Sequence, residues 1–148
     1  MATSVTKWTK GAHTINGVGK NFSSMSRECT LTWVDEGTTA IETPHFDWVV
    51  DTDFTIVVNV DGTNHSDGDG LDILVQGSGT GSSTAVEWGT MATFSNVDED
   101  NQVQFEVYDF DTNGRAPFMR LKCTPSNSIS GGSGTAAIRI MIIPHLES

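Results

Sequence analysis

The residues best suited to hold a metal ion form the hexapeptide Asp-Phe-Asp-Thr-Asn-Gly at positions 109–114. Oxygen-bearing side chains alternate along it and a glycine stands at the bend, as in the first half of a calcium-binding loop. The twelfth position of such a loop needs a carboxylate, but Arg120 stands there and its charge opposes a cation. Asn113-Gly114, between two strand patterns, is typical of a primed hairpin turn. We therefore predict a turn here and no metal site.

Two further acidic stretches fit a metal ion less well. Residues 67–72 would place His65 and Gln76 at the first and twelfth positions of a calcium loop, where neither is a carboxylate. Residues 98–100 are three consecutive acids. Adjacent carboxylates repel one another and gain most from water, so the second stretch is predicted to be a solvated turn.

Nucleophilic catalysis would need a serine or cysteine beside a histidine that an acid orients. Histidines occur only at positions 13, 45, 65 and 145, and none stands in a recognisable catalytic motif. The Gly-x-Ser-x-Gly elbow of serine hydrolases is absent, because Gly77-Ser78-Gly79 and residues 131–134 are glycine-rich loops without it. The sequence thus predicts no catalytic residue and no cofactor, and we expect a protein that is not an enzyme.

The two cysteines, Cys29 and Cys123, lie in separate strand-like segments and lack the paired spacing of a zinc site. Two interpretations stay open for them. They are either small buried apolar side chains or the two ends of one disulfide between an early and a late strand.

Four tryptophans offer ring faces on which sugars could stack. Trp33 alternates with Leu31 in a strand pattern and Trp48 precedes two valines, so both are predicted to lie in a core. Trp88 follows a glycine-rich loop and is predicted to be the exposed one. It is the candidate stacking residue if the protein binds carbohydrate.

Period-two alternation recurs along the chain, and no long window keeps a helical period. The clearest strand patterns are rich in Val, Ile, Thr and Phe and cover residues 29–34, 54–60, 71–75, 102–110, 117–123 and 136–144. Polar, glycine-rich turns separate them. This spacing predicts one all-β domain, an antiparallel sandwich or barrel of about eight strands, in either jelly-roll or immunoglobulin-like order.

Two segments show which faces of the strands are expected to be buried. In residues 102–108, Val103, Phe105 and Val107 share one face and the opposite face is polar, so that face is expected to be wet. In residues 136–143, Ile138, Ile140 and Ile142 share one face, and Met141 lies on the other. We expect this last strand to be covered on both faces.

The formal charge of −11 repels phosphate backbones and anionic lipids, so neither nucleic acid nor a membrane is an expected partner. No apolar stretch approaches the length of a membrane helix. The N-terminal residues lack the apolar segment of a secretory signal, and we expect synthesis and retention in the cytoplasm or release by another route.

Residues 1–28 differ from the rest, with scattered apolar side chains among Gly, Ser, Thr and Lys. They are predicted to form either an N-terminal arm or an edge hairpin that turns at Asn16-Gly17, before a sandwich domain at residues 29–148. An arm could reach a neighbouring copy of the chain. The contact role in such an arm is assigned to Trp8, Ile15, Val18 and Phe22.

Taken together, the chain is short, acidic, all-β and rich in Thr, Ser and Gly, it starts with Met-Ala, and it ends in a hydrophobic strand. In this overall style it resembles the small virion structural proteins of tailed bacteriophages, especially capsid decoration or cement proteins. The resemblance implies a non-enzymatic protein of the capsid surface that binds the major capsid protein or other virion proteins. It also implies self-association, with a trimer favoured.

The alternative prediction is a carbohydrate-binding module, in which Trp88 and the acidic loops would hold a sugar. Binding to a glycan array that is lost in Trp88→Ala would support the carbohydrate-binding function, whereas no glycan binding together with a discrete trimer would favour the structural one.

Overall fold

The computed structural model describes residues 2–9, 12–15, 18–21, 26–34, 39–46, 52–60, 71–97, 104–125 and 135–145. Within these ranges the chain forms eleven strands and two short helical turns. None of the helices there has the length and apolar character needed to cross a membrane.

The strands are short and follow one another in this order: β1 (Ala2–Val5), β2 (Ala12–Ile15), β3 (Val18–Asn21), β4 (Arg27–Val34), β5 (Ile41–Glu42), β6 (Phe54–Val60), β7 (Leu71–Ser78), β8 (Gly89–Val97), β9 (Gln104–Tyr108), β10 (Phe118–Pro125) and β11 (Thr135–Pro144). A single 3-10 turn (Ala85–Glu87) precedes β8, and the one-turn helix α1 (Phe110–Asn113) lies between β9 and β10.

Two antiparallel sheets form the sandwich. The five-stranded sheet has the order β1-β4-β11-β6-β9, and the four-stranded sheet has the order β5-β10-β7-β8. In addition, β2 and β3 pair with each other. The prediction of an all-β antiparallel sandwich is confirmed, with nine strands in the two main sheets as described.

The strand pairs are nested. The pairs are β4 with β11, β5 with β10, β6 with β9, and β7 with β8. The chain from β4 to β11 is therefore a long antiparallel ribbon folded over on itself, which is jelly-roll order. Of the two strand orders that the sequence left open, the immunoglobulin-like one does not have this nesting.

The core fills the space between the sheets with alternate side chains of each strand. Trp33 of β4 is fully buried, as predicted. The inner face predicted for β11 is confirmed, because Ile138, Ile140 and Ile142 are fully buried. On the opposite face Met141 is 4% exposed, whereas its neighbours on that face, Arg139 and Ile143, are half-buried, so that face is covered in part. Trp48 lies outside the described residues.

The prediction of which face of β9 is exposed to water is wrong. Tyr108 is fully buried, whereas Val107 is 48% exposed. The Tyr108 ring stacks on Phe54 with 4.8 Å between centroids, and its hydroxyl donates to the Gly114 carbonyl at 2.7 Å. Since side chains alternate, placing Tyr108 inside puts Val107 outside. Val103 and the Phe105 side chain lie outside the described residues.

The predicted hairpin at Asn113-Gly114 is also wrong. The strands β9 and β10 belong to different sheets, so the chain crosses between sheets instead of reversing within one. The carboxylate of Asp109 accepts hydrogen bonds from the backbone N–H groups of Asp111 and Thr112, at 2.8 and 3.4 Å, and so caps α1. Gly114 ends the helix with φ of +86°, a conformation that favours glycine.

The N-terminal residues run along β4. β1 pairs with β4, and Thr9 continues the pairing through two backbone hydrogen bonds to Glu28. Further on, β2 and β3 pair with Ile15 opposite Val18. Residues 16 and 17, where the turn is predicted, lie outside the described residues, and the domain boundary at residue 28 stays a prediction.

The single tyrosine makes the core testable by titration. Burial raises the pKa of Tyr108 to about 12, whereas an exposed tyrosine has a pKa of about 10. The neutral phenol is favoured in the folded state, so its stabilising effect is present below pH ~10 and is lost as the pH rises towards ~12. Ultraviolet titration of tyrosinate should show the higher midpoint in the folded protein and the lower one in denaturant. Equal midpoints would contradict the burial of Tyr108.

Candidate functional site

The acidic groups of the described residues do not converge. Within that part of the chain, no group of three or more His, Cys, Asp or Glu side chains could hold a metal ion. In the stretch that half matches a calcium loop, the Asp109 carboxylate serves as the cap of α1. The acids at 67–69 and 98–100 lie outside the described residues.

Two of the histidines can be placed. His145 Nε2 lies 2.5 Å from the Thr55 hydroxyl, and the His145 carbonyl accepts a hydrogen bond from Thr52. A hydroxyl beside an imidazole could act as a nucleophile and base only if an acid oriented the ring. The neighbouring acid, Asp53, instead accepts the backbone N–H of Phe110 at 2.9 Å through Oδ1. This cluster ties the end of β11 to the β6 and α1 segments.

The other histidines offer no second catalytic arrangement among the described side chains. His45 is exposed and packs edge-on against Phe118, with 5.3 Å between ring centroids. The side chain of His13 and the whole of His65 lie outside the described residues.

Both cysteines are free and buried in the core cluster. They are the buried thiols of the first interpretation and not the ends of a disulfide. Burial raises the pKa of both thiols well above the ordinary range, and the proximity of Cys123 raises that of Cys29 further. A thiol that stays protonated is a poor nucleophile, so neither residue is suited to covalent chemistry.

The most distinctive surface feature is the β7–β8 connection, residues 78–88, called here the 78–88 loop. Its own side chains hold its backbone: Ser78 Oγ accepts from the N–H groups of Thr80 and Gly81, both at 3.1 Å. Ser82 Oγ accepts from the N–H of Thr84 at 3.0 Å. These local bonds fix the loop without contacts to a partner.

A buried aromatic ring anchors the end of this loop. Trp88 is 8% exposed, and its indole N–H donates to the Ser82 carbonyl at 2.6 Å. The Arg120 guanidinium lies over the ring at 4.2 Å from the centroid. The prediction that Trp88 is exposed is therefore wrong, because its polar N–H finds a partner in the loop and its face is covered by a cation.

Arg120 lies on β10 and connects the loop to two further strands, β7 and β5. It donates to Gln76 Oε1 of β7 at 2.9 Å and pairs with Glu42 of β5 at 3.0 Å. Burial lowers the pKa of Arg120, while Glu42 opposes that shift. A buried guanidinium with partners in a fixed geometry holds the surrounding groups in one arrangement.

The loop presents one apolar side chain to solvent. Val86, at the centre of the 3-10 turn, is 89% exposed, the most exposed large hydrophobic residue among those described. A hydrophobic side chain held out on a fixed loop has no role in the core of its own chain. It is the apolar group that this loop offers to a partner.

Compared with protein-family models and with curated protein sequences, the chain matches none. Its function is therefore inferred from its own surfaces.

A shallow depression of about 310 Å³ lies beside the 78–88 loop. Its lining includes Gly77, Glu87, Met91 and Arg115. None of the described residues that line it is aromatic. The depression can accept a small polar group, but it lacks the ring on which a sugar would stack.

Gly77 is required by the packing of this depression. A Cβ atom there would meet the Met91 sulfur and lie 2.6 Å from the Ala116 Cβ. We expect Gly77→Ala to lower the free energy of unfolding by about 1 to 3 kcal/mol because the extra methyl overpacks the site. Gly89→Ala is the matched control, since nothing lies within 4 Å of its added Cβ. Urea denaturation of both variants tests this, and equal stability of the two would contradict it.

The predicted contact residues of the N-terminal segment are only partly placed. Trp8 is half-buried, packs edge-on against Phe46 at 5.6 Å and donates its indole N–H to the Pro44 carbonyl at 2.7 Å. It therefore links the N-terminal segment to residues 43–46 of its own chain. The side chains of Ile15 and Val18, and all of Phe22, lie outside the described residues, so the contact role of this set stays a prediction.

Sequence reasoning did not find Val86 or Arg120. Val86 stands in a Thr-Ala-Val-Glu stretch with no strand or helix period, and a lone valine in a loop carries no signal. In the sequence pattern, Arg120 stands out only as a residue that disfavours calcium. The partners of Arg120 on β5 and β7 come together only through the strand order.

Proposed function

We propose that this chain is a non-enzymatic virion structural protein that binds the capsid surface through protein–protein contacts. The observation that carries the proposal is the 78–88 loop, which is held by its own hydrogen bonds and exposes Val86. The resemblance to small phage virion proteins supports the same role. The partner in this proposal is the major capsid protein or another virion protein.

A loop that is already ordered loses little conformational entropy on binding. In this proposal Val86 inserts into an apolar recess of the partner, and the Trp88–Arg120 stack prevents the loop from folding back. One valine supplies only a modest contact. Many copies on a repeating capsid surface, or an oligomer that binds at several points, would hold firmly through avidity.

Jelly-roll order is used by both viral structural domains and lectins, so the fold alone does not choose between the two predicted functions. The charge of −11 disfavours a position against packaged nucleic acid and suits an outer surface. The carbohydrate alternative depended on an exposed Trp88, whose ring is instead covered by Arg120. We therefore put forward the structural role alone.

Sedimentation with particles tests the proposal. The purified chain is mixed with capsids produced from a genome that lacks its gene, and the bound fraction is measured. The wild-type chain is expected to sediment with the particles, and Val86→Lys to bind about tenfold more weakly, because a charge would have to enter an apolar recess.

Thr93→Lys is the matched control for this experiment, since it places the same charge at an exposed position of β8 outside the 78–88 loop. It should keep its affinity for the particle. Absence of wild-type binding, or equal loss in both variants, would overturn the proposed role of the loop.

A further inference from the structure

The five-stranded sheet ends in two short strands whose outer edges are free among the described residues. Within those residues, β1 pairs only with β4, and β9 pairs only with β6. The two strands have four and five residues, so their edges match in length. An unpaired edge presents backbone N–H and C=O groups that a further strand can bond.

The two edges lie on opposite sides of the sandwich. β1 lies beside β5 at one side, and β9 lies beside β8 at the other. A contact between unlike edges would therefore join copies head to tail, whereas a contact between like edges would join them two-fold.

The charges of the two edges are complementary. β1 itself carries no charged side chain, but the segment that follows it along β4 carries Lys7, which is exposed. Glu106 lies in β9, and Asp109 and Asp111 follow it in the α1 segment, where the Asp109 carboxylate caps the helix; residues 104–111 include no basic residue. Like edges would repel each other across such a contact, while unlike edges attract.

The β9 edge also carries an exposed apolar side chain. Val107 is 48% exposed because Tyr108 occupies the inner face of the strand. On an edge strand, natural proteins commonly place charges that prevent association, and an exposed valine does the opposite.

We infer that copies of this chain associate head to tail, with the β9 edge of one copy adding to the β1 edge of the next. The partner is a second copy, and the backbone bonds of strand addition supply the contact while Lys7 and the acids set its direction. Repetition of one unlike contact closes a ring when the rotation allows it, which agrees with the trimer favoured for the proposed function. This inference rests on that function for its biological purpose.

Two single variants and their mixture test the direction of association. Lys7→Glu should repel the acids of the next β9 edge, and Val107→Lys should repel Lys7. Each variant alone is expected at the monomer mass of 15.9 kDa in light scattering, while the wild-type chain is larger. An equimolar mixture is expected to recover at least twice 15.9 kDa, because each variant supplies the edge that the other lacks.

Three results would overturn the inference: a monomeric wild-type chain, a mixture that stays monomeric, or a variant that self-associates as well as the wild type. Circular dichroism and the urea midpoint check that both variants are folded, and Asp111→Lys provides a second variant of the acidic edge. Val86→Lys is the control and should keep the wild-type mass. If the wild-type chain associates but does not bind particles, the proposed function fails and this inference stands. If the wild-type chain binds particles but is monomeric, this inference alone fails.

Discussion

Replacing Phe54 by alanine is expected to lower the free energy of unfolding by about 3 to 5 kcal/mol. Phe54 is fully buried, stacks on Tyr108 at 4.8 Å, and meets the edges of Phe46 and Phe110 at 5.6 and 6.0 Å. Removal of the ring leaves a cavity among three aromatic side chains that cannot close without moving two sheets. Domains of this size are commonly stable by about 5 to 15 kcal/mol, so the loss is a large part of the total.

Urea denaturation measures this effect, and two further variants define it. Val107→Ala removes an apolar side chain from the neighbouring strand at an exposed position and should change the stability by less than about 1 kcal/mol. If Phe54→Ala does not fold, Phe54→Leu should show a smaller loss of about 1 to 2 kcal/mol. Equal stability of the Phe54 and Val107 variants would contradict the assignment of this aromatic cluster to the core.

Replacing Arg120 by alanine is expected to lower the free energy of unfolding by about 2 to 4 kcal/mol. We expect it to weaken particle binding as well. The substitution leaves the Gln76 amide buried without its partner and uncovers one face of Trp88. The ion pair between Arg120 and Glu42 contributes less to stability than the bond to Gln76, because the Glu42 side chain is 39% exposed and water screens its charge. The 78–88 loop loses its anchor, so Val86 is no longer held in place for binding.

Arg115→Ala is the matched control for Arg120→Ala. Arg115 is exposed and lies over Phe110 at 5.7 Å, an arrangement that contributes only about 0.5 to 1 kcal/mol. Arg120→Lys separates charge from shape, since a lysine keeps the charge but not the planar stack on Trp88. Urea denaturation and particle sedimentation give the two readouts. An Arg120→Ala protein as stable as Arg115→Ala would contradict the anchoring role.

The strands with clear period-two patterns could be predicted well from the sequence. The predicted strand at 54–60 has the bounds of β6. The predicted strand at 136–144 ends where β11 ends and starts one residue later than β11 does. The strand β8 was not predicted, because its nine residues are mainly Gly, Thr, Ser and Asn and it has two irregularities in its pairing with β7. Such a strand is held by its neighbour more than by its own pattern.

Other features depend on contacts between residues far apart in the chain. The inner face of β9 is decided by the stacking of Tyr108 on Phe54, which lies 54 positions away and on another strand. The burial of Trp88 is decided by Arg120 of β10. In both cases the local pattern permits two outcomes, and tertiary packing selects one of them.

Electron cryomicroscopy of particles with and without the chain tests the central claim most directly. The claim is that a jelly-roll sandwich binds the capsid through the tip of the 78–88 loop. We expect additional density on the outside of the head, fitted by the two-sheet sandwich, with residues 84–87 nearest to the capsid shell. Heads that are identical with and without the chain, or density that meets the shell through another face of the sandwich, would contradict it.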